Sequence, residues 1–298
     1  MSEMPDPHDD LVGAFQIEGE PVRGRIARLG PAIDTILRAH DYPEPVANLL
    51  GEACALAALV GSNLKFEGRL IVEARGAGPV RYLVADYETT GALRGYCRFE
   101  ADEVEAVSRG FVRPGAKTLL GDGVFMMTVD QGPEMDRYQG MTAIEGETLA
   151  LCAEQYFAQS EQTPTRVRLA VNQTNGASRA GGVLIQYIAD DDARGSTWEA
   201  WRRTQAFFET IGEDELVDPE LTSNQLLFRL FHEDGVRVFD PRMLAAVCRC
   251  SQARIESVLK SFEAAEREDM IEPDGKIHVT CEFCSRLYAV APEALARA

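Results

Sequence analysis

The chain has 298 residues, enough for more than one hydrophobic core, and we expect two domains, one of them small. Its 48 acidic and 30 basic residues give a formal net charge of −18. Such a charge repels phosphate backbones and anionic membrane surfaces, so we expect neither a nucleic-acid nor a membrane partner. The N-terminus MSEMPDPHDD lacks the basic region of a secretory signal. The longest apolar run, Ala53–Val60, is far shorter than the roughly 20 residues that span a bilayer. We therefore expect a soluble cytoplasmic protein.

The first two thirds of the chain predict an α+β core domain, residues 1–189, with a mostly antiparallel sheet and packed helices. LVGAFQI and VRGRIARL alternate as strands do, and PAIDTILRAH and PEPVANLLGEACALAALVGSNL predict two helices that begin near prolines. The second helix is apolar nearly all round, so we expect it to be buried on several sides. Four more predicted strands, a helix and two final strands follow: GRLIVEAR, PVRYLVAD, ALRGYCRF, GVFMMTVD, EGETLALCAEQYFAQSEQ, TRVRLAVNQ and GGVLIQYIA.

The character of the chain changes at ADDDARGS, where it becomes rich in acids. Trp198, Trp201 and Phe208 recur there at near-helical spacing. We interpret residues 190–240 as a metastable helical linker that docks on the core through these three aromatic side chains. Residues 241–298 contain too few large apolar side chains to fold on a core of their own and form the predicted C-terminal domain.

Four of the seven cysteines form two tight pairs, Cys248 and Cys250 in VCRCSQ and Cys281 and Cys284 in TCEFCS. In a reducing compartment such pairs indicate a metal or redox site rather than structural disulfides. Together they supply the four soft ligands that Zn²⁺ takes tetrahedrally. We expect one zinc ion per chain, and we expect His278 not to be a ligand because four cysteines already complete the tetrahedron.

The segment between the pairs predicts enough structure to bring them together. RIESVLKSFEAAERED predicts a helix, and MIEPDGKIHVTC predicts a hairpin that turns at Asp274 and Gly275. Metal binding by a segment this small supplies on the order of 10 kcal/mol, which is effectively its folding free energy. The remaining cysteines, Cys54, Cys97 and Cys152, lie in apolar contexts and are expected to be inert buried side chains.

The cysteine spacing leaves three classes of protein open. Most intracellular four-cysteine zinc sites are structural, which would make this a zinc-stabilised regulatory or interaction module. A disulfide across the single residue of the CxC pair closes a strained ring, and strained disulfides are the labile, regulatory kind, which favours a redox sensor. A thiol oxidoreductase would place its CxxC at a helix start, whereas CEFC lies between strand-like segments.

The two cysteine pairs, CRCS and CEFCSRLY, resemble the zinc centre of the bacterial 33-kDa heat-shock chaperone family. The resemblance extends along nearly the whole chain and is carried by HDYPEPV, LKFEG, GPVRYLV, LRGYCRF, RYQG, GETLALCAEQYFAQSEQTPTR, AGGVLIQ and FHEDGVRVFDP. Two departures stand out: Ser285 replaces a frequent glycine, and Gln252-Ala253 replaces a more usual charged pair.

The resemblance implies an ATP-independent holdase, not an enzyme, that oxidative stress switches on to bind unfolding client proteins. It implies that the four paired cysteines bind zinc when reduced. It also implies that oxidation pairs Cys248 with Cys250 and Cys281 with Cys284, releases the metal and unfolds the linker. A homodimer is expected for the oxidised form.

Overall fold

The computed structural model describes residues 9–110, 113–132, 135–174, 176–188 and 198–295, and it divides into two compact units, Met1–Ala246 and Val247–Ala298. The acidic run at 190–192 lies outside the described residues. In chain order the described elements of the first unit are β1 (Leu11–Ile17), β2 (Val22–Leu29), α1 (Pro31–Leu37), α2 (Glu44–Gly61), β3 (Arg69–Gly76), β4 (Val80–Glu88), β5 (Ala92–Phe99), α3 (Ala101–Ser108), α4 (Ala116–Leu120), β6 (Gly123–Asp130), β7 (Tyr138–Ala143), α5 (Leu149–Tyr156) with a π-helical turn (Phe157–Glu161), β8 (Thr165–Thr174), β9 (Ala177–Tyr187), α6 (Trp198–Phe208), α7 (Glu213–Val217), α8 (Ser223–Phe231), β10 (Val236–Val238), β11 (Arg242–Met243) and β12 (Ala245–Ala246).

The strands of the first unit form two sheets rather than the one expected from the sequence. The first sheet has the order β10-β1-β2-β9-β8, and β11 also pairs with β1. The second has the order β12-β5-β4-β3-β6-β7. All of these pairings are antiparallel except the short β12–β5 pair, so the expectation of a mostly antiparallel α+β core is confirmed.

Helix α2 lies between the two sheets and contacts strands of both. Its side chains are buried nearly all round, which confirms the expectation from its uniform apolar sequence. By length and composition it resembles a membrane span, but 78% of that span is buried inside the unit. Gly61 at its C-terminal end permits a close approach, because a Cβ there would lie 2.2 Å from the ring of Tyr87. The helix therefore forms the centre of the main hydrophobic core.

The opposite face of the first sheet is covered by α6, α7 and α8. Each helix has a local reason to form: α6 repeats buried side chains at Trp201, Thr204 and Phe208, and α8 begins with a capping box in which Thr222 and Gln225 exchange hydrogen bonds of 2.9 and 3.1 Å. The predicted linker is thus docked. The second hydrophobic core comprises Phe15, Ile17, Val22, Ile26, Ala170, Val183 and Ile185 of the sheet and Trp201, Phe208, Ile211, Leu216, Val217, Leu226, Leu227, Leu230 and Phe231 of the linker.

The described part of the second unit consists of a two-stranded sheet and three short helices. The strands are β13 (Ile277–Thr280) and β14 (Leu287–Val290), and the helices are α9 (Gln252–Leu259), α10 (Ala264–Asp269) and α11 (Pro292–Leu295). Its hydrophobic cluster has only four buried members among the described residues: Leu259, Ile277, Val290 and Leu295. A core of this size stabilises a fold only weakly. The second unit therefore needs another source of stability.

Three details of the C-terminal region differ from the sequence expectations. The single predicted helix after the CxC pair is two helices, because α9 ends at Leu259 and Glu263 caps the start of α10, its backbone N–H donating to Glu266 at 2.9 Å. The hairpin predicted around Gly275 is reduced to an isolated bridge, since β13 pairs with β14 instead. The border between the units lies at Val247 rather than at Pro241, because β11 and β12 pair with strands of the first unit.

Candidate metal centre

The four paired cysteines converge in the second unit. Their sulfur atoms all lie within 4.8 Å of one another, and each side chain is half-buried. Cys248 Sγ is 3.7 Å from Cys281 Sγ, and Cys250 Sγ is 3.4 Å from Cys284 Sγ. All four are free thiols. The fold thus gathers into one cluster two pairs that are about thirty residues apart in the chain.

Each pair is held by local hydrogen bonds. The CxC pair ends at the start of α9, where the side chain of Ser251 accepts a hydrogen bond from the backbone N–H of Arg254 at 3.3 Å. The CxxC pair forms the turn between β13 and β14, closed by the hydrogen bonds Cys281 N to Arg286 O and Ser285 N to Cys281 O, both 2.9 Å. Ser285 adopts a left-handed φ of 55°, a conformation that favours glycine. This conformation is a physical reason why the resembling family frequently has glycine where this chain has Ser285.

The geometry fits a tetrahedral soft cation. A zinc–sulfur bond of about 2.3 Å in a tetrahedron separates neighbouring sulfurs by roughly 3.8 Å, close to the two separations measured. Four soft donors without oxygen ligands favour zinc over magnesium or calcium. His278 does not belong to the cluster, since its Nε2 pairs with Asp274 Oδ2 at 2.9 Å.

The thiols do not ionise equally in the absence of a cation. Burial opposes ionisation of Cys250, but hydrogen bonds, first from the hydroxyl of Tyr288 at 3.0 Å and then from the other thiols, lower its pKa to about 7. Burial, followed by hydrogen bonding within the cluster, raises the pKa of Cys248 and raises that of Cys284 to about 12. The site favours ionisation of one thiol and opposes ionisation of the others, so it needs a bound cation to hold four thiolates together.

The other three cysteines lie in the first unit and are buried. Burial raises the pKa of Cys54 to about 12 and also raises the pKa values of Cys97 and Cys152. Such thiols are poor nucleophiles. The thiol chemistry of the described chain is therefore concentrated in the four-cysteine cluster.

The predicted docking residues of the linker differ in their burial. Trp201 and Phe208 are each 2% exposed, whereas Trp198 is 47% exposed. Trp198 is the first residue of α6 and lies about 60° short of a full turn from Trp201, so the two indoles do not share one face. The ring of Trp198 packs edge-to-face with that of Tyr187, with 5.7 Å between ring centroids, and remains open to solvent. The expectation that both indoles are covered is thus corrected for Trp198.

Sequence reasoning missed the polar part of this docking. Arginines of the first sheet donate to backbone carbonyls of the linker: Arg28 to Glu215 at 3.2 Å and to Asp218, Arg168 to Glu209 at 3.2 Å and Arg179 to Val217 at 2.8 Å. A Cβ on Gly181 would lie 2.1 Å from the carbonyl oxygen of Leu216, so this glycine permits the close approach of α7. The paired glycines of AGG are a signal that could have indicated a close backbone approach, but no pattern identifies the arginines as linker contacts. The hydroxyl of Tyr288 beside the thiols was also missed.

Comparison with known proteins agrees with this architecture. The profile of the family described as Hsp33 protein matches residues 10–291. The chain is 71% identical over 288 residues to the 33 kDa chaperonin of Caulobacter vibrioides, covering 95% of each chain. It is 33% identical over 282 residues to the 33 kDa chaperonin of Escherichia coli, covering 95% of this chain and 92% of the relative.

A crystal structure of the 33 kDa chaperonin (heat shock protein 33 homolog) from Thermotoga maritima has the same fold, with a TM-score of 0.79 and 23% identity over 96% of this chain and 97% of that chain. The profile match and the Caulobacter relative both cover most of the sequence, and the range of the profile match includes all four clustered cysteines. This membership supports a chaperone role. The chain belongs to the Hsp33 family of chaperones.

Proposed function

We propose that this protein is a redox-regulated, ATP-independent holdase of the cytoplasm, inactive while reduced and zinc-bound. The observation that carries the proposal is the cluster of four thiols in a unit whose own hydrophobic core has four described members. Cys248, Cys250, Cys281 and Cys284 would hold one zinc ion. Zinc would cross-link the two cysteine motifs, and its binding free energy in small zinc domains is about 10–16 kcal/mol.

Oxidation removes the ligands. Each pair of thiols loses two electrons and two protons as its S–S bond forms, and a peroxide accepts them and is reduced to two molecules of water. Two such disulfides would consume all four ligands of the cluster. We propose the pairs Cys248–Cys250 and Cys281–Cys284, which are adjacent in sequence. The sulfur atoms of different motifs also lie close together, at 3.7 Å for Cys248 and Cys281 and 3.4 Å for Cys250 and Cys284, so peptide mapping of the oxidised protein tests the pairing.

The second part of the proposal concerns the linker. Without its metal the second unit would unfold, and the linker that directly precedes it in the chain would lose its docking on the first sheet. The sheet side of the second hydrophobic core, including Phe15, Ile26 and Ile185, would then be open to solvent. Exposed apolar surface of this kind binds unfolding proteins and favours self-association, so we expect a homodimer on oxidation. The net charge of −18 would help such a form stay in solution.

The test measures zinc content and chaperone activity together. Reduced protein should bind one zinc per chain and should not suppress aggregation of a thermally denaturing client without ATP. Peroxide, with mild heat to open the β13–β14 hairpin, should release zinc and produce suppression. A Cys97→Ala variant, which loses a buried thiol outside the cluster, should behave as the parent does. Equal suppression by the reduced, zinc-bound protein would exclude the switch and favour a zinc-stabilised binding module.

A further inference from the structure

Four arginines lie together on the α2 side of the first sheet, next to the C-terminal end of that helix. Strand β1 runs between them: Arg25 lies opposite Ala14, and Arg242 lies opposite Val12 on the other side of the strand. The other two lie on either side of Gln16. Residues directly opposite one another on antiparallel strands share a face. We call this set the arginine face: Arg23, Arg25, Arg237 and Arg242.

Within the described part of the chain, the arginine face lacks ion pairs. Among the residues that the structure describes, none of its four members forms an ion pair with a carboxylate. Other arginines of the same sheet do: Arg166 pairs with Glu154, and Arg179 pairs with Asp9. The deficit is unusual in a chain with 48 acids and 30 bases, where carboxylates are abundant.

Arg25 is the most enclosed member of the face. Its Nη2 donates to the side-chain oxygen of Asn63 at 2.9 Å, but its Nε–H is buried without an acceptor. Burial, and then the like charge of Arg23, lowers the pKa of Arg25. Arg242 is a second neighbour. Its Nη1 donates to the hydroxyl of Tyr87 at 3.0 Å, and its positive charge also lowers the pKa of Arg25. A partly buried cation facing two others is costly unless an anion joins them.

We propose that the arginine face binds a small, multiply charged oxyanion of the phosphate type, with Arg25 and Arg242 as its main ligands. Guanidinium groups present paired N–H donors that match the oxygens of phosphate and sulfate. The residue of β1 that lies opposite Arg25, Ala14, has a small side chain. A large polyanion would meet the repulsion of a chain with a net charge of −18, whereas a single small ion would experience chiefly the local field. This inference does not depend on the proposed redox switch.

Binding is tested on the reduced, zinc-loaded full chain at constant ionic strength set with chloride. Inorganic phosphate should give saturable heat in calorimetry and a saturable rise in melting temperature, because a ligand that binds only the folded state stabilises it. Sulfate should compete with phosphate, and acetate, with one charge, should bind at least about tenfold more weakly. O-phosphoserine serves as a monoester: binding tighter than that of phosphate would identify an esterified ligand, and weaker binding would identify the free ion.

Two variants and a matched control decide the site. Arg25→Gln and Arg242→Gln should each weaken phosphate binding about tenfold or more, as expected for loss of a charged hydrogen bond. Arg98→Gln removes the same charge from an exposed position on β5 and should change affinity less than twofold. If the role of Arg25 were purely structural, Arg25→Gln would lower the melting temperature in phosphate-free buffer and leave the affinity for phosphate unchanged. We predict that the affinity falls and that the melting temperature in phosphate-free buffer does not.

Each remaining outcome overturns the inference. These are a phosphate response no larger than that of chloride, acetate binding as tight as phosphate, or equal losses in Arg98→Gln and Arg242→Gln. If Arg25→Gln does not fold, Arg242→Gln decides, because Arg242 is exposed and its substitution removes only the hydrogen bond to the hydroxyl of Tyr87 described above.

Discussion

Replacing Trp201 by alanine should release the linker without touching the metal centre. The indole is 2% exposed, stacks at a tilt on Tyr187 at 5.9 Å between ring centroids, and belongs to the cluster that joins α6 to the first sheet. Truncation of a buried tryptophan costs about 3–5 kcal/mol. Because every 1.4 kcal/mol changes an equilibrium constant tenfold, the ratio of undocked to docked linker should rise by roughly a hundred- to a few-thousand-fold.

The assay separates linker release from zinc loss. Reduced Trp201→Ala should keep its zinc, because the four thiols lie in the other unit. It should nevertheless show faster amide hydrogen exchange in α6–α8, binding of a hydrophobic dye, and suppression of client aggregation without oxidant. Trp198→Ala is the matched control. This indole is 47% exposed, so its loss should cost only about 1 kcal/mol, chiefly from the aromatic contact with Tyr187, and leave the reduced protein inactive.

One result would refute the reasoning. If exchange shows that α6–α8 are open while zinc remains bound, and the protein still fails to suppress aggregation, the covered face of the first sheet is not the client-binding surface. Activity that appears only in preparations that have lost zinc would instead place the client surface in the second unit.

Four further predictions concern stability and metal binding. Cys281→Ser should abolish tight zinc binding, whereas His278→Ala should retain one zinc per chain by metal analysis; zinc loss in the histidine variant would contradict the ligand set. Removing zinc with a chelator under reducing conditions should abolish exchange protection in α9, β13 and β14 while α2 stays protected; persistent protection there would mean that the metal is not needed for the fold. Ser285→Gly should raise the unfolding free energy of the second unit by about 0.5–1 kcal/mol, since glycine adopts the left-handed φ of 55° without strain; a lower denaturation midpoint would contradict this. Burial raises the pKa of Glu52 to about 7 from an ordinary 4.5. The stability that its protonated form contributes is therefore full below pH 4.5 and is lost as the pH rises through 7. In denaturant titrations, Glu52→Gln should raise the unfolding free energy by up to about 3 kcal/mol at pH 8 and change it little at pH 4.

The sequence by itself determined the features that depend on local pattern or on ligand chemistry. The uniform apolar character of α2 required burial on several sides, and it lies between two sheets. The spacing of Cys248, Cys250, Cys281 and Cys284 required turns that bring soft donors together, and their sulfurs meet within 4.8 Å. Strand alternation predicted β1–β6, β8 and β9, because period-two burial is a property of each strand alone, but it did not predict β7 or the short strands β10–β12.

Only the tertiary structure decided features that depend on which distant segments pair. Strand alternation does not say which strands share a sheet, so the division into two sheets was invisible until the pairing was known. Trp198 and Trp201 look equivalent in sequence and both contact Tyr187 of the first sheet, yet Trp198 is 47% exposed and Trp201 is 2% exposed. That Arg25 forms no ion pair with a carboxylate of the described residues was likewise hidden, because a counter-charge is a fact about neighbours in space rather than in the chain.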